Sequence, residues 1–125
     1  MTQHNWRTTD GFEVLAGWDK PLQHYFVSIS RNCPSCKGDG ETETGAVCIM
    51  CAGRGEQFLF DNLDPRQSQG YTDALGGMNI QQVAAVLNKY LTRWPDNVLH
   101  EMMAESAVNE GNKVVRHEDV GAIKA

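Results

Sequence analysis

Cys33, Cys36, Cys48 and Cys51 are the only cysteines in the chain, and they fall in two copies of one pattern. The first copy is Cys33-Pro34-Ser35-Cys36-Lys37-Gly38-Asp39-Gly40, the second Cys48-Ile49-Met50-Cys51-Ala52-Gly53-Arg54-Gly55. Both read C-x-x-C-x-G-x-G. Each C-x-x-C pair makes a tight turn that aims two sulfurs at one point, and two such turns supply four thiolates for a tetrahedral ion site. The glycines suit that task. The chain must double back after the second cysteine of each pair, which calls for positive φ, and backbone N–H groups must come close to the thiolates. Lys37 of the first copy and Arg54 of the second carry charges that offset part of the site's negative charge. The spacing predicts one structural Zn²⁺ per chain, held by Cys33, Cys36, Cys48 and Cys51, in a closed site with no open position for a catalytic water. Disulfides would need an oxidising compartment. A redox C-x-x-C would need a βαβ setting that the flanking sequence lacks. Four thiolates can also hold iron.

The other residue types that do chemistry form no comparable pattern. His100-Glu101-Met102-Met103-Ala104 opens like a zinc-protease helix motif but lacks the second histidine. His4, His24, His100 and His117 are scattered and read as surface or hydrogen-bonded histidines. Ser28, Ser30 and Ser106 lack a nucleophile motif. Asp10, Glu13, Asp61 and Asp64 have no spacing that selects an acid and base pair, so they read as turn and surface residues. The expectation is a protein that is not an enzyme.

The segment 33–55 resembles the cysteine-rich module of the DnaJ chaperones, which repeats C-x-x-C-x-G-x-G four times. Two copies suffice for one zinc. The J-domain's His-Pro-Asp signature is missing, since the only Pro-Asp, Pro95-Asp96, follows Trp94. A second resemblance rests on Gly17-Trp18-Asp19-Lys20-Pro21-Leu22-Gln23-His24-Tyr25-Phe26 and on Asn109-Glu110-Gly111-Asn112-Lys113-Val114-Val115-Arg116-His117. These stretches look like small uncharacterised proteobacterial proteins of plasmids and other mobile elements, in which a short acidic turn replaces the cysteine segment. That resemblance implies a bacterial, mobile-element protein whose zinc module is an insertion at a hairpin tip.

The elements that must position the cysteines follow from periodicity. Residues 3–8 and 12–18 predict two strands joined at Asp10-Gly11, read as a type I′ turn. Residues 23–31 are the clearest strand, with Tyr25, Val27 and Ile29 alternating against Phe26, Ser28 and Ser30. Residues 56–61 predict a further strand with Phe58 and Phe60 on one face, so that 23–31 and 56–61 flank the cysteine segment as the antiparallel legs of a long hairpin. Residues 62–78 read as a loop. A helix is expected from the N-cap Asn79, with Gln82 completing a capping box and an apolar stripe running from Val83 to Trp94. Pro95 ends it and opens a second helix through Val98, Leu99, Met102, Met103, Ser106 and Ala107, stopped by Gly111. Val114 to His117 close the sheet, and 118–125 read as frayed. The fold class is α+β: an antiparallel sheet of about five strands, two helices on one face, and a small zinc-ribbon-like insertion. Residues 1–32 and 56–125 form the body and 33–55 the Cys₄ finger. Trp6, Trp18 and Trp94 are expected in or beside the core.

Length and charge bound the function. The 125 residues suit one domain with a small appendage. No apolar run reaches the ~20 residues of a membrane helix, and Met1 to Arg7 do not read as a signal peptide, so a cytoplasmic location is expected. Eleven basic and sixteen acidic residues give a net charge of −5, which suits a protein partner better than a nucleic-acid backbone. The first functional reading is a non-enzymatic zinc-binding accessory protein that binds another protein, with Ala46, Val47, Ile49 and Met50 as an apolar contact patch at the finger. The alternative is a nucleic-acid-binding zinc ribbon in which Arg7, Arg31, Lys37, Arg54 and Arg66 gather on one side.

Overall fold

The computed structural model describes residues 1–64, 70–72 and 77–124. Strands β1 (Thr2–Arg7), β2 (Glu13–Asp19), β3 (His24–Asn32) and β4 (Glu56–Asp61) precede helices α1 (Ile80–Tyr90) and α2 (Val98–Val108), and strand β5 (Lys113–Arg116) follows them. The sheet order is β4-β3-β2-β1-β5. The α+β architecture is the expected one, and the sheet is mostly antiparallel. The exception is β5, which runs parallel to β1 with Thr2 opposite Lys113 and His4 opposite Val115. A parallel neighbour requires a crossover, which the two helices supply.

One face of the sheet is covered. Along β1, Thr2, His4 and Trp6 are buried at every second position, as are Val14 and Ala16 on β2 and Tyr25, Val27 and Ile29 on β3. Helix α1 adds Val83, Val86 and Leu87, and α2 adds Val98 and Met102. Trp6 is fully enclosed, Trp18 nearly so, and Trp94 packs at the core's edge. Gly17 of β2 lies against the Thr2 carbonyl of β1. A Cβ there would lie 2.0 Å from the carbonyl oxygen of Thr2, so only glycine fits.

Several local features differ from the sequence expectation. The β1–β2 loop is one residue longer than a type I′ turn: Thr8 N–H donates to Phe12 O, and only Gly11 has positive φ, at 92°. A loop closed by one left-handed glycine is the usual three-residue solution. Phe58 and Phe60 do not share a face. Phe60 pairs with Ile29 but Phe58 pairs with Ser30, because a bulge interrupts the register between them. Residues paired across a ladder point the same way, so Phe60 faces the core and Phe58 the open side.

The helix ends also move. Asn79 and Gln82 make the expected reciprocal capping box, both bonds 2.8 Å. Helix α1 stops at Tyr90, before Trp94, and the segment expected to fray is what stops it. Leu91 is extended and bridges to Ile123, while Thr92 N–H donates to Ala122 O and Lys124 N–H to Tyr90 O. Helix α2 starts at Val98 rather than Pro95, and Asn109, in the left-handed conformation at φ 52°, ends it ahead of Gly111. Met103 and Ala107 of the expected second helix are exposed. Its buried positions are Val98, Met102 and Glu105. Of the expected loop 62–78, residues 65–69 and 73–76 lie outside the described residues. Met78 is buried and bridges to Tyr25.

Candidate metal centre

Strands β3 and β4 pair antiparallel from Ser28 opposite Asp61 to Asn32 opposite Glu56, so residues 33 and 55 leave the sheet side by side. The two cysteine turns then lock together by an exchange that the repeat makes symmetric. Cys33 N–H donates to Gly55 O at 2.9 Å, and Cys48 N–H donates to Gly40 O at 3.0 Å. Each first cysteine is tied to the last glycine of the other copy. Within each copy, the same last glycine donates its N–H to a sulfur, Gly40 to Cys36 and Gly55 to Cys51, both at 3.2 Å. Gly40 and Gly55 have φ of 75° and 76°, and a Cβ on either would stand 2.5 Å from the carbonyl oxygen of Gly53 or Gly38. Lys37 and Ala52 occupy matching left-handed positions as well. The glycines of the repeat thus do the two jobs expected of them.

All four cysteines are buried and unpaired in disulfides. Cys33 Sγ lies 3.9 Å from Cys48 Sγ, and Cys36 Sγ lies 3.7 Å from Cys51 Sγ. A tetrahedron with Zn–S arms of ~2.3 Å has edges of about 3.8 Å. Those two separations match such edges, and all four sulfurs lie within 4.8 Å of one another. The N–H of Cys51 holds the Cys48 thiol down to about 6, while burial pushes the Cys51 thiol up to about 11. Four thiolates in so small a volume repel one another, and a divalent cation supplies the charge that holds them together. The tetrad can hold a metal ion.

No family model, curated protein or solved structure matches the chain. The tetrad therefore rests on its own geometry.

The remaining residues singled out from the sequence are dispersed, with one exception. Asp10 accepts the Thr8 hydroxyl, Glu13 pairs with Arg7 and Arg116, and Asp61 caps a turn through the N–H of Leu63. They do not converge. Of the basic residues of the nucleic-acid reading, Arg54 of the finger lies over the Phe58 ring and Arg31 of β3 over Phe12. Arg7 and Arg31 line a cleft of about 560 Å³ together with Arg116, but Glu13 and Glu56 line it too. Arg66 lies outside the described residues. No helix among the described residues is long and apolar enough to cross a membrane.

The exception is a pair of histidines. His24 bonds to Tyr25 O and His100 is exposed, but His4 and His117 stack with ring centroids 5.2 Å apart, beside Glu101 and Glu105 of α2. Periodicity carried a trace of this: Glu101 and Glu105 are four residues apart on one helix face, and Glu105 stands in an otherwise apolar stripe. Nothing local linked that face to residues 4 and 117.

Proposed function

We propose that this protein is a zinc-binding accessory protein that acts by binding another protein, and that Zn²⁺ in the Cys₄ site shapes the contact surface. The observation that carries the reading is Ile49. It is 91% exposed, inside the second cysteine turn, between Cys48 and Cys51, whose side chains are enclosed. Met50 at 62% and Val47 at 63% extend the patch. Folding leaves these apolar groups in water, which disfavours them by roughly 25 cal/mol per Å² relative to burial. A partner that covers them recovers that free energy. Ile49 and Met50 also line a groove of about 430 Å³ with Phe58 and Gln57 of the sheet's edge strand β4. The two-copy repeat supports a chaperone-like or adaptor role for the finger, and the bacterial, mobile-element setting is the companion expectation.

The ion in this reading is structural. Four thiolates fill its coordination, so the finger takes part in no bond making, and the role we propose is non-enzymatic.

The test compares the full-length protein with the Ile49→Asp/Met50→Asp double variant, both quantified for zinc. The wild type should retain a protein partner under cross-linking that the variant loses, at equal zinc content. Equal recovery by both refutes the patch. A salt-dependent gel shift with nucleic acid, unchanged in the double variant, would favour the alternative reading.

A further inference from the structure

The histidine cluster is built more elaborately than the body of the fold requires. His4 lies on the covered face of β1 and is fully buried. Its Nε2 stands 2.6 Å from Glu105 Oε2, so Nε2 carries a proton and donates it. Glu105 is itself held in place: the Thr2 hydroxyl donates to its Oε1 at 2.6 Å, and Lys113 Nζ lies 3.1 Å from its Oε2. Trp18 N–H in turn donates to the Thr2 oxygen, which fixes that hydroxyl's direction. Glu105 sits in the last turn of α2, where a carboxylate opposes the helix dipole, and no basic residue of that turn offsets it. The local rule is broken at the one place where it serves to orient His4.

With Nε2 committed, His4 presents Nδ1 to the other side. His117 Nε2 lies 2.9 Å from it, and Glu101 Oε2 lies 3.4 Å from His4 Nδ1 and 3.8 Å from His117 Nε2. Three donor atoms from β1, α2 and the chain after β5 thus face one another. A hydrogen bond between the two rings accounts for the first distance. It does not account for Glu101 Oε2, which is buried and has no hydrogen-bond partner among the described residues. A shared ion accounts for the 2.9 and 3.4 Å separations and needs the 3.8 Å one to close by about 0.5 Å. Metal bonds of ~2.0–2.2 Å to imidazole and carboxylate place ligand atoms about 2.9 Å apart in octahedral and about 3.3 Å apart in tetrahedral geometry.

We propose that His4 Nδ1, His117 Nε2 and Glu101 Oε2 form a second metal site, for a borderline divalent ion such as Zn²⁺, Co²⁺ or Ni²⁺. The imidazole donors select against Mg²⁺ and Ca²⁺, which prefer oxygen. Glu105 is a positioning residue. Its bond to the far side of His4 is the carboxylate–histidine–metal arrangement that fixes the ligating tautomer. Three protein donors leave at least one coordination position for water or an anionic ligand, unlike the closed Cys₄ site. His117 is 14% exposed and Glu101 40%. His117 also lines a surface cleft of about 310 Å³ with Trp94, Asp96 and Asp119, which gives an ion a path in.

The test uses the full-length protein with its Cys₄ site already loaded with zinc. Co²⁺ is titrated in and followed by absorption and by metal analysis. One additional cobalt per chain should bind with ligand-field bands and without thiolate-to-cobalt charge transfer, while the zinc remains. Glu101→Gln and His117→Ala should each weaken cobalt binding by more than ~100-fold, because loss of an outer-shell partner alone weakens a site by ~10–100-fold. Glu105→Gln should fall in that smaller range. Glu101 is partly exposed, so its variant should keep the native circular dichroism and give a clear answer if His117→Ala does not fold. Absence of cobalt binding, charge-transfer bands that report exchange into the thiolates, or binding unchanged in Glu101→Gln would each overturn the proposal.

Discussion

His4 Nε2 lies 2.6 Å from the carboxylate of Glu105, although 101 residues separate them. The contact ties the first strand to the last turn of α2. Burial pushes the Glu105 carboxyl up, and the hydrogen bonds from Thr2, His4 and Lys113 more than offset that and hold it below the usual carboxylate value. The native state therefore depends on an ionised group that is 3% exposed. Removing one partner of a buried pair strands the other. Glu105→Ala should lower unfolding free energy by about 3 kcal/mol, and Glu105→Gln by about half as much, since an amide keeps the volume and can accept from Thr2. Denaturant unfolding of the three proteins checks the order. Equal stability would show that the pair contributes nothing.

The two apolar clusters among the described residues do not merge. One comprises the sheet and helices, the other only the four cysteines. Replacing Cys48 and Cys51 by serine should abolish metal binding by the thiolates, expected at one ion per chain, and disorder the finger. The helices Ile80–Tyr90 and Val98–Val108 should retain most of their circular dichroism. Amide exchange resolves the two parts: fast exchange confined to 33–55 is expected, and global unfolding of the variant would show that the finger supports the core.

Gly55 and Gly45 have similar φ, 76° and 83°, but different surroundings. A Cβ at Gly55 meets the Gly38 carbonyl at 2.5 Å, while at Gly45 it meets nothing within 4 Å. Gly55→Ala should therefore separate the two cysteine turns and weaken metal retention against a chelator by at least tenfold. Gly45→Ala carries only the strain of its left-handed backbone, about 1 kcal/mol, and should hold metal nearly as well. Competition with a chromogenic chelator measures both. Equal losses would mean that conformation, not the close approach, decides.

The C-terminal segment is fastened at several points. Val120 N–H donates to Arg7 O, Thr9 N–H to Gly121 O and Thr92 N–H to Ala122 O, and Ile123 bridges to Leu91. Lys124 N–H adds a fourth bond, to Tyr90 O, so deleting residues 120–125 should remove roughly 4 kcal/mol of stability, at about 1 kcal/mol per lost backbone hydrogen bond. Thermal unfolding of the truncated protein should fall by several degrees. An unchanged midpoint would restore the view of this segment as a frayed end.

The sequence determined whatever depends on near neighbours. The C-x-x-C-x-G-x-G repeat specified the cysteine tetrad, because its turns are local and its glycines admit only a few backbone conformations. Alternation specified β1 to β4, and Asn79 with Gln82 specified where α1 begins. Tertiary structure decided what depends on contacts between distant segments. The end of α1 is set by residues 122–124, which no local signal at Tyr90 announces. The faces of Phe58 and Phe60 are set by a bulge that exists only in the pairing with β3. The parallel placement of β5 along β1 brings His117 to His4, and the packing of α2 on the sheet brings Glu101 and Glu105 to both. A histidine and a glutamate carry no sign of each other across a hundred residues. Only the sheet order and the helix that lies on it put them in contact.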